Sequence, residues 1–215
     1  MNGNQKKVNK KRTLVAYSHP DSMISEQYRM IEANIKFSMA DQKSRSFLIT
    51  SPSTGEGKST SASNLAATMA QKQKKVLLID ANFRSPILHS IFKISNSSGL
   101  ADVLIDQSTF DEAVCHTDIE NLDILASGYA PINHGKLLDS YKMQEILNKA
   151  YQSYDVVIID SHSILELTET KILASQCDGV VLVIKKGKTL LEKAAESKKV
   201  LEFAKAKLVG VILNE

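Results

Sequence analysis

Paired cysteines, clustered histidines and long apolar runs are all missing from this chain. Cys115 and Cys177 lie far apart, with no Cys-x-x-Cys or Cys/His spacing around either. That excludes a disulfide framework and a zinc site of ordinary spacing, and it suits reduced thiols in a cytosol. His19, His89, His116, His134 and His162 are scattered without helical or paired spacing, and read as surface or loop residues rather than ligands. No apolar run approaches the roughly 18 residues that span a bilayer, and no signal-like stretch opens the chain, so a soluble, cytoplasmic protein is expected. Internal repeats and interior low-complexity linkers are absent as well.

Charge of one sign is also not in excess: 27 Lys and Arg face 24 Asp and Glu, for a net +3. The basic surplus is local, at Lys6, Lys7, Lys10, Lys11 and Arg12 with no acid among them. This run reads as a solvated tail; the sharper alternative is attraction to an anionic membrane surface or an acidic partner. No aromatic residue interleaves with it, which disfavours nucleic acid.

What is present is a chain of 215 residues, 43% of them apolar, enough for one domain with a real core. The expected division is a basic, flexible segment over 1–17 and a single domain over 18–215. Ser25 can cap a helix with Tyr28, Ile31, Ile35 and Met39 on its apolar side. The pattern then alternates. Strands are predicted at 46–50, 76–80, 122–125, 156–160, 180–184 and 208–213, with helices at 59–73, 144–151, 165–175 and 190–206. Several strands are apolar at consecutive positions, the mark of strands covered on both faces. The fold class is α/β: a three-layer domain with a mainly parallel sheet.

The stretch 46–60, Ser-Phe-Leu-Ile-Thr-Ser-Pro-Ser-Thr-Gly-Glu-Gly-Lys-Ser-Thr, carries the strongest chemical signal. A short strand runs into a glycine-bearing loop and then a helix, the layout of a phosphate cradle in which freed backbone N–H groups and the positive helix end face phosphate oxygens. Its members are Thr54, Gly55, Glu56, Gly57, Lys58, Ser59 and Thr60. Lys58 supplies a point charge at the β/γ-phosphates and Ser59 one Mg²⁺ position. Pro52 stands where the strict pattern wants a small residue.

In a parallel sheet, ligands bind beyond the carboxyl ends of the strands. Two predicted strands end in acids, Asp80 after Val76-Leu77-Leu78-Ile79 and Asp160 after Val156-Val157-Ile158-Ile159. A carboxylate directly after four apolar residues is costly without a partner. Beside Mg²⁺ and phosphate both make sense as metal or metal-water ligands; the plainer reading of each is a cap on the next helix or turn.

These segments together resemble the bacterial tyrosine kinase family of capsule and exopolysaccharide export. The resemblance rests on Gly55-Glu56-Gly57-Lys58-Ser59-Thr60, on Val76-Leu-Leu-Ile-Asp-Ala-Asn-Phe-Arg-Ser-Pro86 and on Tyr154-Asp-Val-Val-Ile-Ile-Asp160. Ser25-Glu-Gln-Tyr-Arg29 and Gly128-x-x-Pro-x-Asn133 to Leu137-Leu138 fit as well. It implies a P-loop NTPase-type fold shared with MinD/ParA ATPases, ATP and Mg²⁺ as cofactors, and phosphorylation of protein tyrosines, chiefly those of a neighbouring subunit. It also implies a membrane-embedded polysaccharide co-polymerase with an activating cytosolic tail, recruitment to the inner face of the membrane, and a homo-oligomer formed through the Glu26/Arg29 helix. By residue, it implies that Lys58 neutralises the transferring phosphoryl group, Ser59 holds Mg²⁺ and Asp160 binds the metal through water. Asp80 would orient Mg²⁺ or accept the tyrosine proton, Arg84 would steady the second motif, and Asn214 would contact adenine.

The chain departs from that family at four places. Asn82 replaces the second acid of the Asp-x-Asp-x-Arg motif, and an amide takes up no proton. Ser161-His162-Ser163 replaces Thr-Pro-Pro, freeing a loop that prolines stiffen. Glu32 replaces the last arginine of the subunit-contact helix, which opposes the usual assembly. No tyrosine cluster follows Asn214; Tyr151 and Tyr154 are the one near pair and read as packing residues. Two rival readings follow: a degenerate kinase acting as an ATP-binding scaffold, and a MinD/ParA-like ATPase. The second is disfavoured by Ser53, which sits where those ATPases carry a signature lysine.

Overall fold

The protein is represented by a computed structural model that describes residues 14–38, 46–129, 135–138 and 140–215. The basic run up to Arg12, Met39, and the Pro131 and Asn133 positions of the expected motif lie outside the described residues.

The chain enters through α1 (Val15–Ser18) and α2 (Met23–Ser38), then β1 (Ser46–Thr50), α3 (Lys58–Gln71) and β2 (Val76–Asp80). Three short helices follow, α4 (Leu88–Phe92), α5 (Leu100–Leu104) and α6 (Phe110–Ala113), before β3 (Val114–His116) and β4 (Leu122–Leu125). The rest is α7 (Gly135–Leu138), α8 (Tyr141–Ser153), β5 (Val156–Asp160), α9 (Thr168–Gln176), β6 (Gly179–Lys185), α10 (Leu191–Phe203) and β7 (Leu208–Asn214).

Seven strands form one sheet in the order β3-β4-β2-β5-β1-β6-β7, parallel throughout except for β3, which runs antiparallel to β4. The consecutive apolar residues of the central strands divide by parity. Leu48, Leu77, Ile79, Val157 and Ile159 face a core built with α5, α8 and α9. Phe47, Ile49, Val76, Leu78 and Ile158 face the opposite core, built mainly with α3. Burying each such side chain contributes about 1.5–3 kcal/mol, so the two cores hold helical layers on both faces of the sheet.

α3 is the central helix of its layer. Ala62, Ala66, Ala67 and Ala70 are buried along it, and these small side chains let it lie close to the sheet while α1 and α2 cover its other side. Ala16 of α1 donates its N–H to Asn64 Oδ1 at 2.9 Å, and Gln71 Nε2 donates to the Ala16 carbonyl. Packed structure therefore reaches back ahead of the expected boundary at 18.

Three local expectations need correcting. Ser25 lies inside α2 rather than at its start: Ser22 Oγ accepts the Ser25 N–H, and Ser25 Oγ donates to the His19 carbonyl at 2.6 Å. The helix expected over 165–175 starts only at Thr168, because Ile164 N–H is held by the Ser51 carbonyl and the segment before it is drawn onto the end of β1. β3 and the short α4, α5 and α6 were not anticipated. Tyr151 and Tyr154 do pack as expected, their hydroxyls donating to Ser46 Oγ and Asp123 Oδ2.

Candidate nucleotide site

The carboxyl ends of β1, β2, β5, β6 and β7 open at the same edge of the sheet, and the expected site residues gather there. Beyond β1 the chain turns through 51–57 into α3. Gly57 takes the left-handed conformation (φ +97°) as the residue before the helix, and a Cβ there would collide with the Asn214 amide. Lys58 opens α3 and is only 6% exposed. Its Nζ reaches Ser163 Oγ at 3.5 Å. Ser59 and Thr60 follow in the first turn, half-buried, their carbonyls accepting from Ser63 Oγ and Asn64 Nδ2.

The carbonyl side of this loop is braced by residues from the turn after β6 and from the end of β7. Lys188 Nζ donates to the Thr54 carbonyl at 2.8 Å, and Asn214 Nδ2 donates to the Glu56 carbonyl at 2.9 Å. Thr189 Oγ1 donates to Glu56 Oε1. Lys193 Nζ, from α10, donates to Ser53 Oγ at 3.2 Å. Asn214 thus lies against the loop backbone.

Asp80 and Asp160 are both fully buried and sit opposite one another on adjacent strands. Asp80 Oδ1 accepts the Asn82 N–H, and Oδ2 accepts the N–H groups of Ile87 and Leu88, at 3.0–3.1 Å. The capping reading therefore describes part of what Asp80 does: it ties β2 to α4. Burial pushes its carboxyl up to about 6, against the pull of those three amides and of His89. A carboxylate has about four acceptor positions, so one remains for a cation or a proton.

Asn82 is buried, and its Oδ1 has no partner among the described residues. Such an orphaned acceptor is costly unless something donates to it. Among the described residues no three His, Cys, Asp or Glu side chains form a self-contained metal cluster. The oxygens of Ser59, Asp80 and Asp160, with an orphaned amide oxygen beside them, fit a hard cation that keeps several waters, the habit of Mg²⁺ rather than Zn²⁺.

The loop after β5 closes the site from the other side. Ser161 N–H is held by the Ile49 carbonyl, and Thr50 Oγ1 donates to the His162 carbonyl at 2.8 Å. These bonds anchor a segment that lacks the expected prolines. His162 is partly buried, and burial lowers its pKa against the opposing pull of Glu166. Glu166 accepts from both Thr54 N–H (3.0 Å) and Thr54 Oγ1 (2.9 Å). Arg84, by contrast, is exposed, sharing a crevice with Ser161 and His162. Glu166, Lys188, Thr189 and Lys193 were not singled out from the sequence; each meets a loop more than a hundred residues earlier, and no local spacing marks it.

Known proteins share both the sequence and the fold. Residues 44–202 match the family model described as an AAA domain (AAA_31). The chain is 45% identical over 203 residues to the tyrosine-protein kinase YwqD of Bacillus subtilis (strain 168), covering 94% of this chain and 86% of that protein. It is 33% identical to the tyrosine-protein kinase CpsD of Streptococcus agalactiae, covering 88% and 82%. The kinase domain of the Escherichia coli tyrosine kinase ETK superposes with a TM-score of 0.91 at 28% identity, covering 99% of this chain and 84% of that one.

Proposed function

The chain belongs to the bacterial tyrosine kinase family, and from that premise we propose that it binds ATP with Mg²⁺ and transfers the terminal phosphoryl group to protein tyrosines in capsular or exopolysaccharide biosynthesis. The observation that supports the reading is a phosphate loop carrying the buried Lys58 at the same edge of the sheet as two buried carboxylates in one register, Asp80 and Asp160. The work is done by one kinase domain that follows the basic N-terminal segment.

Mg²⁺, when bound, neutralises charge on the phosphates and holds them in line for transfer. Ser59, Asp80 and Asp160 are the side chains that would hold it. The amides of 54–60 and the start of α3 orient the phosphates, while Lys58 places positive charge on the transferring group. Asp80 has one acceptor position left, so it would either hold Mg²⁺ or, in its place, receive the tyrosine proton. Asn82 Oδ1 can accept a hydrogen bond in the same place but takes no proton. Arg84 lies at the outer edge, where it can meet an incoming acidic or phosphorylated group. Asn214 fixes the wall of the loop on the side assigned to adenine.

The partners that go with this reading are a membrane-embedded co-polymerase whose cytosolic tail activates the kinase, and other copies of the chain docking through α2. On that helix Glu26 and Arg29 form an ion pair at 2.7 Å beside the exposed Met23, Ile24 and Met30. The place of action is the cytoplasm, at the inner face of the membrane. No helix among the described residues is long and apolar enough to cross a bilayer.

Asn82 favours one second reading, an ATP-binding scaffold that transfers slowly. The test is phosphotyrosine formation, followed by mass spectrometry with ATP, Mg²⁺ and the cognate activator tail. Transfer that disappears in Lys58→Met supports the kinase; nucleotide binding with no phosphotyrosine supports the scaffold.

A further inference from the structure

The phosphate loop already has an anion on it. Glu166 places one carboxylate oxygen on the backbone N–H of Thr54 and the other on the Thr54 hydroxyl, two donors of the loop that the nucleotide reading assigns to phosphate. Thr54 Oγ1 also lies 3.4 Å from Ser163 Oγ, which in turn meets Lys58 Nζ, so the threonine that holds the carboxylate and the loop lysine meet at one serine. Burial works against the charge on Glu166. The two bonds from Thr54, with His162 and Lys58, outweigh it and hold the carboxyl below its usual range. Glu166 is therefore ionised at neutral pH.

Lys58 is the lysine that reaches the β/γ-phosphates of a nucleotide. An anion that sits on the Thr54 amide and within electrostatic reach of that lysine is on the terminal-phosphate side of the cradle. A terminal phosphate arriving there meets the like charge of Glu166, and loses a donor unless the carboxylate leaves. The diphosphate, which ends one phosphate earlier, meets less of both.

We propose that Glu166 is a tethered counter-anion of the phosphate loop that discriminates against the terminal phosphate and so sets the ATP-to-ADP preference of this chain. The inference rests on the nucleotide-binding reading given above. It makes Glu166 a specificity residue. Because Glu166 belongs to the same loop as His162 and Ser163, its displacement by ATP also moves the segment between β5 and α9.

The test is calorimetric titration of the full chain with Mg-ATP (as a non-hydrolysable analogue) and Mg-ADP, comparing wild type with Glu166→Gln and Glu166→Ala. Glu166 is partly exposed and Gln matches its shape, so folding is checked by thermal melting and should hold. The expected result is an ATP affinity raised about tenfold in Glu166→Gln, which is 1.4 kcal/mol, with ADP affinity changed less than about threefold. Glu166→Ala should move the ratio the same way. Equal changes for the two nucleotides, or an unmoved ratio in both variants, overturn the inference while leaving nucleotide binding intact. A wild-type chain that binds neither nucleotide overturns the underlying reading as well.

Discussion

Asp80 and Asp160 are register partners on neighbouring parallel strands, each the last residue of its strand and each sealed from solvent. The sheet sets their proximity: β2 and β5 pair over five consecutive positions ending at this pair. Two buried carboxylates on register-paired residues favour a bound cation or proton.

The pH dependence of stability should carry Asp80's signature. Its carboxyl titrates at about 6 in the folded chain, against 3.8 for an unburied one. Between those values the folded chain holds a proton that the unfolded chain has released. Stability from this group is full below about pH 4, falls as pH rises through about 6, and levels off above. Each pH unit between the two values is worth about 1.4 kcal/mol, so the change is a few kcal/mol at most. Urea unfolding without nucleotide at pH 5 and 7.5 checks it. Asp80→Asn should remove this contribution to the slope, whereas an unchanged difference between the two pH values would refute it.

Asn82→Asp should add a second carboxylate beside Asp80. Without metal the nearby like charge should lower the unfolding midpoint, and Mg²⁺ with nucleotide should restore it. If a base or metal ligand is what the position lacks, phosphoryl transfer should rise by about tenfold or more, a positioned base typically contributing 10²–10⁴. A wild-type rate equal to that of the variant would show that Asn82 costs the chain nothing.

Glu32 is bonded within its own chain, to Lys72 just past the end of α3. Glu32→Arg should therefore destabilise the monomer through repulsion as well as alter any subunit contact. The pair is partly exposed, so the expected loss is about 0.2–1 kcal/mol. Adding Lys72→Glu should recover most of it. A double-mutant cycle by urea unfolding reads the coupling, and strictly additive effects would mean the pair contributes nothing.

The main strands were legible because burial on both faces leaves runs such as Val156-Val157-Ile158-Ile159, which no exposed element tolerates. β3 was not, since Val114-Cys115-His116 is three partly exposed residues at a sheet edge. Ser25 misled because a serine ahead of an apolar helix face looks like a cap, whereas Ser22, three residues earlier, does the capping. The phosphate loop and both strand-end acids could be read from local order, each motif being contiguous. Glu166, Lys188 and Asn214 act on that loop through contacts that exist only after β5, β6 and β7 are laid beside β1. For the same reason the capping bonds of Asp80 and its proposed metal role could not be told apart beforehand: a single carboxylate serves amides on one side and leaves an acceptor position on the other.

The most direct measurement is calorimetric titration of the wild-type chain with ADP, with Mg²⁺ and then in excess EDTA. The expected result is saturable binding with Mg²⁺, weakened about tenfold or more by chelation (1.4 kcal/mol or more) and abolished by Lys58→Met. Binding of equal strength with and without Mg²⁺, or none in either condition, would contradict a site built from the phosphate loop and two strand-end carboxylates.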